Sequence, residues 1–456
     1  MKLKNYAIIL ASGSSTRFGG GEHGLKQFVK IAGQTILEHT IELFERAAEI
    51  DEIILVIPPG RRDSVEQILL RHSYTKVSRM LEGGETRKDS SRIGICSIPD
   101  EEANVVIHDC ARPLLSHKII SESLAALKTH QAVDVAFPSA DTIIQVNEDK
   151  YIEQIPDRSR LMRGQTPQSF RLSIIRRAHE LSRDDSAFTD DCGLVLKHRL
   201  AEVYVVEGDR ANIKITWPED LFLADKLFQV RSTKELAIDE AQLTELRGQV
   251  VVIFGGSKGI GASVAERLRQ LGGIPCSFSL SQGCDVANYE QVEAALRQAH
   301  DEHGRIDAVI CTAGVLKLGK LEQRDIAELR RELEVNYMGS INVCKAAIPY
   351  LRSTHGSLIL FASSSYTRGR ALYAPYSSTK AGIVNLMQAL AEELYPEHIR
   401  VNVINPARTA TPMRTAAFGN EPAGSLLSPE QVAVTTLKTL LTPLTGQVVD
   451  VIISPK

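Results

Sequence analysis

The chain has 456 residues, 43% of them hydrophobic and 24% charged, with a formal net charge of −3. That is the composition of a globular protein with room for two or three cores, and it gives no reason to expect nucleic acid or an acidic membrane as partner. No apolar run approaches the roughly 20 residues needed to cross a bilayer, and the seven cysteines are scattered without a CxxC pair, which points to free thiols in a reducing cytoplasm and to no structural zinc.

In chain order, MKLKNYAIIL reads as a first strand and not as a signal peptide, because its short apolar stretch runs straight into a polar loop. Strand-like runs follow at EIILVIP (52–58), NVVIHD (104–109) and VDVAFPS (133–139). After a long middle come QVVVIFG (249–255), DAVICTAG (307–314), SLILFASS (357–364) and RVNVINP (400–406). Amphipathic stretches such as ILEHTIELFERA and ASVAERLRQLG lie between them. This βαβα rhythm predicts parallel α/β sheets with helices on both faces. It restarts near residue 249, just after the charged, strandless VRSTKELAIDEAQLTELRG (230–248). The expected organisation is therefore a domain over 1–229, a helical linker over 230–247 and a second, different domain over 248–456.

The first strand breaks into AIILASGSSTRFG (7–19), which supplies Ala11, Ser12, Gly13 and Ser14, then Arg17 and the later Lys26. The spacing matches neither the dinucleotide fingerprint nor a Walker loop. Backbone N–H groups in such a loop can still cradle a triphosphate. Arg17 and Lys26 would put positive charge where a five-coordinate phosphorus gains negative charge. GGETRKDSSRIG (83–94) is a second glycine-led turn, carrying Gly83, Arg87, Ser90 and Ser91. VIHDCARPL (106–114) ends a strand on Asp109, with Arg112 close behind. A carboxylate at the carboxyl end of a parallel strand lies in the ligand crevice and is a reasonable Mg²⁺ ligand.

Together with DRSRLMRGQTPQSF (157–170), FTDD (188–191) and VVEGDRANIKITWPEDL (205–221), these motifs resemble the cytidylyltransferase family of methylerythritol- and ribitol-phosphate cytidylyltransferases over about residues 4–228. The resemblance implies a mixed, mostly parallel nucleotidyltransferase sheet, with Ala11, Ser12, Gly13, Ser14, Arg17 and Lys26 on the triphosphate of CTP. It further implies that Gly83, Arg87 and Ser90 recognise cytosine, that Asp109 holds Mg²⁺, and that Lys214 contacts the α-phosphate. Arg112, Arg158 and Thr189 fall to the sugar-phosphate acceptor, with Arg158 or Thr189 reaching across from a partner subunit. Leu25 stands where the family has proline, and Ser12 where alanine is common; neither change removes a charge, so activity is expected. The acceptor phosphate would attack the α-phosphorus in line, with no side-chain nucleophile and no general base, because the attacking group is already ionised.

In the second half, VVIFGGSKGIGASVAERL (251–268) is a strand, a glycine loop and a helix, with Gly255, Gly259 and Gly261 at GxxxGxG spacing. The helix start can receive a pyrophosphate through Ser257, Lys258, Gly259, Ile260 and Gly261. Further on stands YSSTK (376–380), with Ser363 thirteen residues before the tyrosine and Asn336 in ELEVNYMG. Tyr376 and Lys380 share a helical face, and a nearby ammonium is expected to lower the phenol's pKa. These residues, with CTAG (311–314), resemble the short-chain dehydrogenase/reductase family over about 248–453. The implied fold is a doubly wound parallel sheet, so that the chain carries two Rossmann-like domains. The implied roles are Tyr376 as proton donor, Lys380 as its tuner and a ribose ligand, Ser363 as carbonyl orienter and Asn336 as support of a proton relay. Ala313 and Gly314 belong to the cofactor site, and Asp285 and Val286 lie where the family contacts adenine. The strand IPCSFSLS (274–281) ends in serines without the carboxylate that would hold an unphosphorylated ribose, and Lys258 is at hand for a 2′-phosphate. NADPH is therefore the expected cofactor.

A cytidylyltransferase joined to a carbonyl reductase suggests consecutive steps. The pair resembles the bifunctional enzymes of bacterial capsule pathways, which implies reduction of D-ribulose 5-phosphate to D-ribitol 5-phosphate and then its cytidylylation by CTP to CDP-ribitol. Two alternatives remain open here: a methylerythritol-phosphate cytidylyltransferase with an unrelated reductase, and a C-terminal domain that only senses NADPH or oligomerises. Both families suggest a homodimer, with residues 139–158 crossing between subunits.

Overall fold

The computed structural model describes residues 3–18, 24–72, 74–183, 190–235, 240–422 and 424–453. It divides into two compact units, Met1–Leu227 and Phe228–Lys456. The division falls inside the helix Glu219–Glu235, which a 3₁₀ stretch, Glu240–Leu246, follows. Among the described residues no helix is long and apolar enough to cross a membrane.

The first unit is built on an eight-stranded sheet. Its strands are β1 (Asn5–Leu10), β2 (Glu52–Ile57), β3 (Val77–Glu82), β4 (Asn104–Asp109), β5 (Ala132–Pro138), β6 (Met162–Gly164), β7 (Gln168–Arg171) and β8 (Val203–Glu207). β1 lies between β2 and β4, β3 flanks β2, and β8 pairs β5, all in parallel. The short β7 runs antiparallel between β4 and β5, and β6 runs antiparallel to β5. All six residues of β1 are buried, as a strand covered by helices on both faces requires. The chain passes from β1 to β2 and β3 on one side and then crosses back to β4 on the other, so the carboxyl end of β1 opens on a switch point where a crevice forms.

The second unit carries a six-stranded, wholly parallel sheet. Its strands, in spatial order, are β10 (Ile274–Phe278), β9 (Val250–Phe254), β11 (Ala308–Cys311), β12 (Ser357–Phe361), β13 (Arg400–Pro406) and β14 (Val448–Val451). Alternate residues feed two separate cores. Val252, Phe254, Leu358 and Leu360 pack with Val292, Val343 and Met387 on one face, while Val251, Ile253, Ile359 and Phe361 pack with Val264, Leu268 and Leu437 on the other. The period of two in the strands is thus what makes the sheet doubly wound. Burying each such Val, Leu or Ile contributes about 1.5–3 kcal/mol. Here too the chain reverses at the first strand, and β9 and β11 open a second switch point. The two-sheet α/β architecture read from the sequence is the one observed.

Candidate active sites

In the first unit the register sets Leu10 of β1 opposite Asp109 of β4, so the small-residue loop and the carboxylate leave the sheet side by side. Ala11 is buried, its N–H donating to Val56 O at 2.8 Å, while Ser14 and Arg17 are exposed and Gly13 faces open space. Ser15 takes a left-handed φ of 58°, and its Oγ accepts the Lys26 N–H at 3.0 Å. Gln27 Nε2 donates to Ala11 O at 2.8 Å and to Gly13 O at 3.3 Å, tying the loop to the residue after Lys26. The sequence reading gives Gln27 no role, although the Lys-Gln pair is its signal.

Gly83 has no room for a side chain: a Cβ there would sit 2.2 Å from Ser12 Cβ and 2.9 Å from Ser90 Oγ. Ser12 Oγ in turn donates to Ser90 Oγ at 2.8 Å, so the two glycine-led turns lock together. A capping box of Thr86 and Asp89 starts the helix Arg87–Cys96 and fixes Arg87 at its first position. From there its guanidinium forks between two carboxylates, Nε to Asp109 Oδ1 at 3.0 Å and Nη1 to Asp191 Oδ2 at 2.8 Å. Lys214 Nζ reaches the other Asp109 oxygen at 2.6 Å. Lys26 Nζ donates to Ile215 O at 2.9 Å, which sets the two lysines next to each other in space. Burial alone would raise the Asp109 carboxyl, but Arg87 and Lys214 outweigh it and hold the group well below the ordinary range. Burial lowers the Lys26 ammonium, and Lys214 adds to that effect.

Asp191 stands in the sequence as an ordinary member of FTDD, and it is the hidden anchor of the site. It is 1% exposed and takes hydrogen bonds from Ser91 Oγ at 2.7 Å and from His179 Nε2 at 2.9 Å as well as from Arg87. Burial pushes its carboxyl up, and the Arg87 charge overrides that to bring it to about 2. His108 is likewise buried and pushed down to about 4 by burial. Its Nε2 donates to Arg112 O at 3.1 Å and its Nδ1 accepts from Thr166, so it is a neutral strut beneath Asp109. Arg112 reaches Asn212 O at 2.9 Å, and its buried Nε has no partner among the described residues. Arg158 stands apart on the 3₁₀ turn Arg158–Arg160, bonded to Ala140 O at 3.1 Å. Thr189 lies outside the described residues.

In the second unit β9 ends on Gly255, which has a φ of 86°. A Cβ on it would meet Ala313 N at 2.7 Å, and one on Gly261 would meet Gly255 O at 2.4 Å. This is a cradle that only glycine leaves open, and it fits the close approach of a dinucleotide pyrophosphate. The helix Gly259–Gln270 begins at Lys258 with no capping bond from that side chain, and the first N–H groups of a helix have no acceptor within it. Ser257 and Lys258 are exposed and Ile260 is half-buried. Val286 packs against Gly339, and Asp285 is held by Arg331 Nη2 at 2.7 Å.

Asn336 lies in a π-helical turn, Glu334–Met338, an irregularity common at functional sites. Its amide exchanges two hydrogen bonds with the Val315 backbone at 2.8 Å each, and its Oδ1 is 3.2 Å from where a Gly314 Cβ would sit. The helix Ala374–Leu394 carries Tyr376 and Lys380 one turn apart, and Ser363 is near enough to the Tyr376 phenol to favour its ionised form. Lys380 Nζ lies 5.5 Å from the Tyr376 ring centre and donates to Phe361 O at 2.8 Å. The expectation that Lys380 lowers the phenol's pKa is corrected here. Burial is the largest effect and pushes Tyr376 up to about 12, with Ser363 acting the other way. Burial also brings Lys380 down to about 8. The phenol is therefore kept protonated, the state a proton donor needs.

The family model of 2-C-methyl-D-erythritol 4-phosphate cytidylyltransferase matches residues 6–230, and that of short chain dehydrogenase matches residues 277–422. A 2-C-methyl-D-erythritol 4-phosphate cytidylyltransferase of Thermobifida fusca is 40% identical over 49% of this chain and 92% of its own. A solved 4-diphosphocytidyl-2C-methyl-D-erythritol synthase from Anaerococcus prevotii is 32% identical over 50% of this chain and 96% of its own, with a TM-score of 0.45. The bifunctional ribulose 5-phosphate reductase/CDP-ribitol pyrophosphorylase Bcs1 of Haemophilus influenzae is 44% identical over 99% of this chain and 96% of its own. Because that likeness runs through both units, the chain belongs to the family of bifunctional ribulose 5-phosphate reductase/CDP-ribitol pyrophosphorylases.

Proposed function

We propose that this enzyme makes CDP-ribitol in two steps, reducing D-ribulose 5-phosphate with NADPH and then transferring a cytidylyl group from CTP to the ribitol 5-phosphate formed, with release of pyrophosphate. The observation that carries the proposal is the end-to-end likeness to a relative named for both activities. In the reductase site a bound reduced nicotinamide supplies the hydride. Ser363 would hold the carbonyl oxygen and Tyr376 would give it the phenolic proton. Lys380 and Asn336 would return a proton to the phenol. Lys258 at the helix start and serines after β10, in place of a carboxylate, support NADPH over NADH.

In the transferase site the acceptor phosphate attacks the α-phosphorus of CTP and pyrophosphate leaves. Arg17, Lys26 and Lys214 would meet the charge that develops. No group of three or more His, Cys, Asp or Glu side chains able to hold a metal occurs among the described residues. A Mg²⁺ ion arriving with the triphosphate needs only one protein carboxylate, and Asp109 keeps lone pairs beyond those used by Arg87 and Lys214. We place the enzyme in the cytoplasm as a homodimer serving capsule or other surface-polysaccharide synthesis, where its substrates are made. Incubation with ribulose 5-phosphate, NADPH, CTP and Mg²⁺ tests the proposal, and failure to form CDP-ribitol would sink it. The 40% identity to a methylerythritol-phosphate enzyme favours a second reading of the first unit. That reading requires faster cytidylylation of methylerythritol phosphate than of ribitol 5-phosphate.

A further inference from the structure

Two segments that border the reductase site carry arginines. Between Ser363 and Tyr376 the chain carries Arg368 and Arg370 and no acidic residue, and from Ala407 to Asn420 it carries Arg408 and Arg414 and again none. The second segment includes the helix Pro412–Phe418. Met413 of this helix reaches to within 3.9 Å of where a Gly314 Cβ would sit, so the helix borders the cofactor cradle. Arg414 is the next residue, and a chain of rings connects it to the reacting centre. Its guanidinium lies 4.5 Å over the Phe418 ring, Phe418 is 6.0 Å from Tyr373, and Tyr373 is 6.2 Å from Tyr376.

The fork of Arg414 grips one carboxylate, Glu421, through both Nε and Nη2, and Arg408 reaches the same carboxylate at 3.4 Å. Arg414 and Glu421 are 21% and 16% exposed. A guanidinium fork fits a carboxylate and a phosphate equally well. Two arginines on one carboxylate leave an excess positive charge beside the catalytic tyrosine. Neither the pyrophosphate cradle at Gly255–Gly261 nor Lys258 accounts for that charge. A pentulose phosphate carries its phosphate three carbons from the carbonyl that Tyr376 protonates, and that phosphate needs a cationic partner on the tyrosine side of the site.

We propose that Arg414, assisted by Arg408, is the phosphate anchor of the reductase substrate, and that Glu421 occupies the arginine fork until the phosphate displaces it. The proposal rests on the pentulose-phosphate reductase reading above. The competing explanation is a structural clamp, in which Arg414 and Glu421 only hold the segment after β13.

The full chain is assayed with ribulose 5-phosphate and with unphosphorylated ribulose, in the unmodified form and as Arg414→Ala, Arg414→Lys and Glu421→Gln. The proposal expects Arg414→Ala to raise KM for ribulose 5-phosphate about tenfold or more, to leave KM for NADPH within twofold, and to erase the preference for the phosphorylated sugar. Arg414→Lys should fall between, with weaker competitive inhibition by inorganic phosphate. Glu421→Gln should lower KM, because the fork loses its competitor. Equal losses in Arg414→Ala and Glu421→Gln would establish the clamp and overturn the proposal. So would a rise in KM for NADPH, or a phosphate preference that survives in Arg414→Ala. Cytidylyl transfer from supplied ribitol 5-phosphate reports folding of each variant. An unmodified chain that reduces no pentulose phosphate would overturn the functional reading itself and the proposal with it.

Discussion

The two units place their sites at the same kind of position and furnish them in opposite ways. Each has a strand running into a small-residue loop at a switch point, the first after β1 and the second after β9. The first is wired with charge: Asp109 and Asp191 are buried and ionised because Arg87 and Lys214 face them. In the second, burial opposes ionisation at the reacting groups: it pushes the half-buried Tyr376 phenol up and brings the buried Lys380 ammonium down. The difference matches the two chemistries. Nucleotidyl transfer gathers negative charge around phosphorus and needs preorganised cations, whereas carbonyl reduction moves a hydride and a proton and needs a donor that stays protonated.

The largest expected effect separates the two sites. Tyr376→Phe removes the proposed proton donor of the reductase site and should cut NADPH oxidation by about 10²-fold or more. CDP-ribitol formation from supplied ribitol 5-phosphate should be unchanged in the same preparation. Parallel loss of both activities would break the picture of two independent sites. The reciprocal change is Asp191→Asn. It halves the carboxylate fork that holds the half-buried Arg87; breaking a fully buried pair typically costs about 3–5 kcal/mol, and less is expected here because Asp109 still faces the guanidinium. Cytidylyl transfer should fall and the first unit's unfolding midpoint should drop, while ribulose 5-phosphate reduction holds. A variant as stable as the parent would mean that the charge network is not what organises the first site.

How far each site is legible in the sequence follows from the same contrast. The strand rhythm and both glycine loops can be read directly, since period-two burial and small-residue turns are local properties. So can the Tyr376–Lys380 pair, because one helical turn brings those residues together. The Asp191 anchor cannot be read: it acts on Arg87 from 104 residues away, and nothing local marks a carboxylate as buried. The antiparallel insertion of β7 between β4 and β5 is also hidden, since four residues, QSFR, carry too little pattern. The direction in which the Tyr376 phenol moves escapes the sequence for a related reason. A sequence shows that a lysine is near, but it does not show that burial is the largest effect on the phenol.

The glycines of the first site offer a finer test. Gly83→Ala would force a Cβ to 2.2 Å from Ser12, and overpacking of this kind costs roughly 1–3 kcal/mol. It should also raise KM for CTP by displacing the loop that Ser12 belongs to. Gly13→Ala, with nothing within 4 Å of its would-be Cβ, should change stability by no more than about 0.5 kcal/mol. If the two variants behaved alike in denaturation, the locking of the two turns through Ser12 and Ser90 would be refuted.

The stability of both units should rise with pH, the first in an acid window and the second in an alkaline one. The Asp191 carboxyl is lowered from its ordinary 3.8 to about 2, so the stability it contributes is fully present above about pH 4. That contribution is lost as pH falls through about 2, at about 1.4 kcal/mol for each pH unit between the two values. The fluorescence of the single tryptophan, Trp217, reports the first unit's unfolding, and Asp191→Asn should flatten its acid limb. Lys380 is lowered from 10.5 to about 8. Between those values the unfolded chain binds more protons than the folded one, so stability rises with pH across the window. Below about pH 8 the cost of burying the charged ammonium is constant. The difference in stability between the parent and Lys380→Met, followed by calorimetry, should therefore grow in the parent's favour from about pH 8 to 10.5 and stay level below that. A difference that is flat through the alkaline window would mean that burial does not lower the Lys380 ammonium, and the contrast between the two sites would fail at its central residue.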